Sequence, residues 1–192
     1  MRRILMLGNS YTFCNNMPDM LAEILDCEVV AHTRGGARLA EQLNPNTKMG
    51  AETQRALKEE KWDYVVLQEM SNGPITAKKS FLKSVSELCN QIRQNGAVPV
   101  LYATWAYKRG GKQMETMDCD YEQMYRMIYD AYHEAAKENH ALIANVGKRF
   151  YELSETTDLY IHDGSHPTKH GSMIIAETIA KTIRKHIETE KL

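Results

Sequence analysis

Apolar residues along this chain fall into two alternating patterns. Short, largely apolar runs, Ile4–Leu7, Asp63–Gln68 and Ala141–Val146, read as buried strands. Between them lie segments with apolar residues three and four apart, as on one face of a helix. Met17, Met20, Leu21, Ile24 and Leu25 form the first such stripe, with Pro18 tolerated in its opening turn. Phe81, Leu82, Val85, Leu88, Cys89 and Ile92 form a second that stops near Gly96. Tyr121, Met124, Tyr125, Ile128, Tyr129, Tyr132 and Ala136 form the clearest, and Ile175, Ile179, Ile183 and Ile187 the last. Residues 28–32 and 97–102 complete a set of five strands. Pro99 is awkward in the second of these because it donates no ladder bond. Residues 50–60 carry a weaker helical stripe, and residues 105–118 read as a long loop.

Strand alternates with helix throughout, and the strands are apolar on both faces. The pattern predicts a parallel sheet covered by helices on both sides, an α/β fold in three layers, α/β/α. Without repeats, low-complexity stretches or linkers, residues 1–192 read as a single domain. Composition adds exclusions. The chain is 43% hydrophobic and 26% charged, with a formal net charge of −1, so no basic field attracts nucleic acid. No apolar run is long enough for membrane insertion. Arg2-Arg3 before Ile4–Leu7 imitates a signal peptide, but the run ends at Gly8, too soon. The expectation is a soluble, cytoplasmic protein unless a signal segment has been removed. The four cysteines show no C-x-x-C pair, and no His/Cys/carboxylate spacing suggests a metal. No cofactor is expected, and oligomeric state is left open.

The candidate chemistry sits where strands end. Gly8-Asn9-Ser10-Tyr11-Thr12 follows the first strand and places Ser10 at the carboxyl edge of the sheet, where open α/β sheets bind ligands. Ser10 is a nucleophile if a base reaches it. Alone, the pentapeptide favours a plainer reading, in which Ser10 is a turn or cap residue. The distant Asp163-Gly164-Ser165-His166 changes that balance. His166 is able to take a proton near neutral pH, and Asp163, three residues earlier, is placed to hold its tautomer. The plainer roles are a helix N-terminal carboxylate and a turn residue before Pro167. His162 and His170 are the nearest rivals for the base.

Four segments taken together carry a resemblance. Gly-Asn-Ser-x-Thr follows the first strand and Gly35-Gly36 the second. The polar stretch Gln68-Glu69-Met70-Ser71-Asn72-Gly73 follows the third, and Asp-x-x-His-Pro precedes the last helix. This combination resembles the SGNH (GDSL-like) hydrolase family over nearly the whole chain. The resemblance implies a flavodoxin-like sheet of five parallel strands, with Ser10 as nucleophile, His166 as base and Asp163 as its orienter. It implies oxyanion donors from the Ser10 and Gly36 N–H groups and from an Asn side chain. The third block departs from the family's Gly-x-Asn-Asp. Ungapped spacing puts Asn72 on the family's Asn, and Gln68, with the same carboxamide at the strand end, is the alternative. Leu67-Gln68-Glu69 marks an atypical branch.

Trp105 and Tyr107, in the loop after the fourth strand, are candidates to stack on a sugar or acyl chain, or are structural. Arg38 beside the Gly loop is a candidate for an acidic substrate group. The expected activity is a serine esterase acting on a small-molecule ester through an acyl-enzyme, with a carbohydrate O-acetyl ester the first substrate considered. The alternatives are a lysophospholipase or thioesterase of the same fold, and a non-catalytic flavodoxin-like binding module.

Overall fold

The computed structural model describes residues 1–191. Five strands form one parallel sheet: β1 (Arg3–Gly8), β2 (Glu28–Thr33), β3 (Tyr64–Leu67), β4 (Val98–Tyr102) and β5 (Leu142–Ala144), in the order β2-β1-β3-β4-β5. The helices are α1 (Ser10–Phe13), α2 (Met17–Leu25), α3 (Leu39–Gln42), α4 (Lys48–Glu59), α5 (Gly73–Thr76), α6 (Lys78–Asn95), α7 (Tyr121–Glu138), α8 (Val146–Leu153) and α9 (Lys169–Thr189). The expected three-layer flavodoxin-like sandwich is what the chain forms.

Two cores follow from the alternation of side chains across the sheet. Leu5, Leu7, Val65, Leu67 and Leu101 point to one face, against Leu57 of α4, Phe81 and Leu88 of α6, and Ile128 and Tyr132 of α7. Ile4, Met6, Tyr64, Val66, Val100 and Tyr102 point to the other, against Leu21 of α2, Phe150 of α8, and Ile175 and Ile179 of α9. Complete burial on both faces is why these strands read as continuous apolar runs rather than alternating ones.

Pro99 sits in a central strand without cost. The Val98 N–H donates to Asp63 O on the β3 side (2.9 Å), and the Ala103 N–H donates to Ala144 O on the β5 side (3.1 Å). Odd-numbered positions of β4 therefore face β5. The β5 ladder begins only at Val100–Leu142, so no acceptor stands opposite Pro99. Three features escaped the pattern. Asn15 and Asn16 adopt left-handed backbone (φ 57° and 56°) and split α1 from α2, a conformation asparagine tolerates. Helix α8 begins directly after β5 and contributes Phe150 to the core. The loop after β4 starts as core, with Trp105, Ala106 and Tyr107 all buried.

The order 2-1-3-4-5 places a topological switch point between β1 and β3. From β1 the chain moves outward to β2, then returns across β1 to β3. The crevice at the carboxyl ends of these two strands is where such sheets bind ligands. Gly8 ends β1 in a space that excludes any side chain: a Cβ there would lie 2.5 Å from both Gln68 Oε1 and Thr12 Oγ1. Gly8→Ala is expected to lower stability by about 1–3 kcal/mol, the usual cost of forcing atoms into a packed site, read as a shift of the urea midpoint at unchanged m-value.

Candidate active site

Ser10 is presented by a one-turn helix whose start is fixed by Asn9. The Asn9 side-chain Oδ1 caps α1 by accepting the Tyr11 N–H (3.1 Å), and Asn9 O accepts from the Thr12 N–H (2.9 Å). A cap of this kind contributes about 1 kcal/mol. Asn9 Nδ2 donates to Ala37 O (3.0 Å), tying the Ser10 turn to the glycine loop after β2. In that loop Gly36 takes φ +67° with open space around its Cα. Backbone conformation, not crowding, selects glycine there. Neither the Ser10 nor the Gly36 N–H has an acceptor among the described residues.

The segment carrying His166 is closed on itself. An antiparallel bridge joins Tyr160 to Pro167, Ile161 N–H donates to His166 O (2.9 Å), and Gly164 turns at φ +69°. Lys108 N–H donates to Gly164 O (2.7 Å), seating the loop after β4 on this turn. Asn15 Nδ2 reaches Pro167 O (3.1 Å) and Ser172 Oγ (2.9 Å), so the kink between α1 and α2 holds the base-bearing segment beside Ser10.

The resulting geometry joins residues 156 positions apart. Ser10 Oγ lies 2.8 Å from His166 Nε2, and His166 Nδ1 lies 2.6 Å from Asp163 Oδ2. An ionised carboxylate only accepts, so Nδ1 carries the proton and Nε2 is left to accept the Ser10 hydroxyl. The other carboxylate oxygen, Oδ1, accepts the backbone N–H groups of Ser165 and His166, each at 2.9 Å. Partial burial raises the Asp163 pKa, but those two N–H groups and the imidazole outweigh it and hold the carboxyl below its ordinary range. His166 remains 32% exposed and Asp163 30%, open to a substrate and to water. The arrangement is suited to moving a proton from a serine hydroxyl. His162 and His170 are exposed, and neither joins it.

An aromatic wall stands behind the imidazole. Tyr11 meets the His166 ring edge-on (5.5 Å between centroids) and stacks on Trp105 (4.3 Å), which stacks on Phe150 (4.2 Å). Ser165 is gripped by Tyr11 OH at its hydroxyl (2.5 Å) and by Trp105 Nε1 at its carbonyl (3.0 Å). Trp105 is 0% exposed, so the expectation that it contacts substrate is corrected. Both of its faces are covered by rings and its one donor is used inside the protein. Arg38, the other candidate binding residue, precedes α3 and does not line the cleft.

Both carboxamides considered for the oxyanion are placed elsewhere. Gln68 is fully buried. Its Oε1 accepts Asn9 N–H and Thr12 Oγ1–H, each at 2.9 Å, and its Nε2 donates to Glu69 O (2.5 Å). Gln68 holds the Ser10 turn onto β3, and, fully buried, it does not line the cleft. Asn72 opens α5 and is absent from the cleft lining, its Oδ1 buried without a partner. Register explains the difference: the residue after β3 that faces the cleft is one position earlier. Asn9, Ser10, Tyr11, Gly36, Met70, Ser71, Tyr107, Gln113, Asp163, Ser165 and His166 enclose a cleft of ≈ 260 Å³. Larger grooves occur on the molecule, but they lie on helix surfaces away from this edge. Sequence reasoning missed Asn9, Ser71 and Ser165, short polar residues whose roles depend on distant partners. Among the described residues no group of three or more His, Cys, Asp or Glu is placed to hold a metal ion, and no helix is long and apolar enough to cross a membrane.

Comparison with known proteins shows the family. Residues 41–147 match the family model described as a domain of unknown function, DUF4886, a stretch that contains the loop after β3 but neither Ser10 nor His166. A "putative SGNH hydrolase" from Slackia heliotrinireducens is 46% identical over 95% of this chain and 98% of its own, with a TM-score of 0.92. A DUF4886 family protein from Bacteroides uniformis is 23% identical (94% and 82% covered, TM-score 0.70). An acetylxylan esterase from Geobacillus stearothermophilus shares the fold at 15% identity (95% and 94% covered, TM-score 0.68). None of the curated proteins matches. The chain belongs to the SGNH hydrolases, in the family described by DUF4886.

Asp163 gives the site a pH signature. A carboxyl whose folded pKa is depressed contributes stability that is present above its ordinary range and is lost as pH falls through the lower, folded value. Asp163→Asn is expected to flatten the acid limb of a urea-midpoint against pH curve, and an unchanged limb would show that Asp163 is not linked to folding.

Proposed function

We propose that this protein is a serine esterase that cleaves small acyl esters through a covalent acyl-enzyme. The observation that carries the reading is the continuous hydrogen-bonded chain from Ser10 Oγ to His166 Nε2 (2.8 Å) and from His166 Nδ1 to Asp163 (2.6 Å). In this reading Ser10 Oγ attacks the ester carbonyl carbon while its proton passes to His166 Nε2. Asp163 stabilises the imidazolium and fixes its tautomer. The tetrahedral oxyanion faces the Ser10 and Gly36 N–H groups. Its collapse expels the alcohol, which takes the proton from His166, and leaves the acyl group on Ser10. Water, deprotonated by His166, then attacks the acyl carbon. The carboxylic acid departs and the proton returns to Ser10.

The dimensions of the cleft support a short acyl group. It is about 260 Å³ and is lined by hydroxyl, amide and imidazole groups, with Met70 its one aliphatic side chain. A lysophospholipase or long-chain thioesterase requires an apolar channel, and this lining supplies none. A small cleft edged with hydroxyl and amide groups suits an acetyl ester on a hydroxyl-rich alcohol such as a carbohydrate. The esterase from Geobacillus stearothermophilus is described as acting on acetylxylan, which agrees with that substrate class. A purely binding module leaves the Ser–His–Asp chain without a purpose.

Ser10→Ala is expected to abolish release of p-nitrophenol from p-nitrophenyl acetate and labelling by a fluorophosphonate, with folding intact by circular dichroism. His166→Ala should lower kcat by at least ~10³-fold and Asp163→Asn by about 10⁴-fold, through the wrong tautomer. His162→Ala and His170→Ala should leave kcat near wild type. Undiminished turnover in Ser10→Ala would remove the esterase reading. The acyl group is tested separately: kcat/KM should fall at least ~10-fold from acetate to octanoate, and a preference for octanoate would move the protein to the lipase alternative.

A further inference from the structure

A tetrahedral intermediate needs fixed donors that meet the oxygen in the transition state. Two backbone N–H groups, of Ser10 and Gly36, stand unspent at the cleft. The loop after β3 lines the same cleft through Met70 and Ser71 and is placed to supply a third. Its groups are few. The Gln68 carboxamide is fully buried, bound to Asn9, Thr12 and the Glu69 carbonyl, and does not line the cleft. The Met70 N–H donates to Glu69 Oε1 (2.7 Å), and Asn72 does not line the cleft. Ser71 remains, and it lines the cleft together with Ser10, Gly36 and His166. Resting on the serine-esterase reading above, we propose that the Ser71 hydroxyl is the side-chain donor to the oxyanion, and that Tyr107 is the residue that positions it.

The pair is built to aim one proton. Ser71 Oγ and Tyr107 OH are 2.8 Å apart. Either hydroxyl can donate in this pair; in the proposed arrangement the phenol, the stronger acid, donates to Ser71 Oγ. The serine's own proton is then free to point into the cleft, and its donor strength is raised by the bond it receives. Tyr107 is 6% exposed and rigidly placed. The neighbouring Ala106 carbonyl accepts Tyr160 OH (2.9 Å), and the Lys108 N–H is bound to Gly164 (2.7 Å). Ser71 is held from its own side. The buried Glu69 carboxylate accepts the Met70 N–H (2.7 Å) and the Leu39 N–H (3.2 Å), so this loop and the Gly36 loop share one anchor. Gly73 leaves room for that carboxylate, since a Cβ there would lie 2.8 Å from Glu69 Cγ. Gln113 also lines the cleft, but it is solvent-exposed and lacks a fixing bond, so it does not offer a preorganised donor.

Steady-state kinetics on p-nitrophenyl acetate test the assignment. Ser71→Ala is expected to lower kcat by about 10²-fold with KM within about twofold, since the lost bond strengthens in the transition state. Affinity for a methyl trifluoromethyl ketone, which forms a tetrahedral adduct, should fall by the same factor as kcat/KM. Ser71→Thr, which keeps the hydroxyl, should restore most of both. Tyr107→Phe should lower kcat about 10-fold, and Ser71→Ala/Tyr107→Phe should be no worse than Ser71→Ala alone, because Tyr107 acts through Ser71. Wild-type kcat in Ser71→Ala, beside an inactive Ser10→Ala, would overturn the donor role and leave the esterase reading standing. An active Ser10→Ala would instead remove the reading beneath it. Multiplicative losses in the double variant would overturn the positioning role of Tyr107.

Discussion

The buried carboxamide of Gln68 is the constraint on which the catalytic edge depends. It sits at the end of β3, accepts the Asn9 N–H and the Thr12 hydroxyl, and thereby sets where the chain leaves β1. A buried amide with unmet bonds costs several kcal/mol, so these partners are fixed within narrow limits. Gly8 is obligatory because the Gln68 oxygen occupies the space a side chain would need. From this joint Asn9 reaches to the Ala37 carbonyl and ties the loops after β1 and β2 together. The position of Ser10 is thus decided by a buried residue at the end of a different strand that does not line the cleft.

Two carboxylates near this wall show how surroundings divide one chemistry into two uses. Burial raises the pKa of both. For Asp163 two backbone N–H groups and an imidazole outweigh it, and the group is held ionised beside His166. For Glu69 burial prevails over the Met70 and Leu39 N–H groups and the nearby Arg38, and its pKa lies above the ordinary range. Asp163 is bound to the His166 ring, and Glu69 joins the loop after β3 to the start of α3. A site of fixed dipoles does not have to reorganise when charge develops, and this economy is the usual source of enzymatic rate enhancement.

The aromatic stack from Phe150 through Trp105 to Tyr11 performs the corresponding service for the base. It carries the rigidity of one core to the edge of the imidazole, and through Ser165 it grips the turn between Asp163 and His166. Packed rings in a core have few alternative arrangements, so the relay geometry is inherited from the core rather than from the exposed turn itself.

Much of this was legible in the chain alone. The apolar runs and helical stripes determined a parallel five-stranded α/β sandwich, because burial on both faces leaves a signature in periodicity that local residues carry in full. Ser10, Asp163, His166 and Gly36 were legible because they lie in short stretches that together carry the family resemblance. The fate of Trp105, Gln68 and Asn72 was not. A tryptophan in a polar loop reads the same whether its faces meet a sugar or Tyr11 and Phe150. A carboxamide at a strand end reads the same whether its proton is free or given to Glu69. Which of Ser71 and Asn72 faces the cleft turns on the backbone path after β3, which Glu69 and Gly73 within that loop and Tyr107 from the loop after β4 together set. Residue type and spacing determine what a group is able to do. Only tertiary contacts decide which of its hydrogen bonds are already taken, because the partners that take them lie tens of residues away.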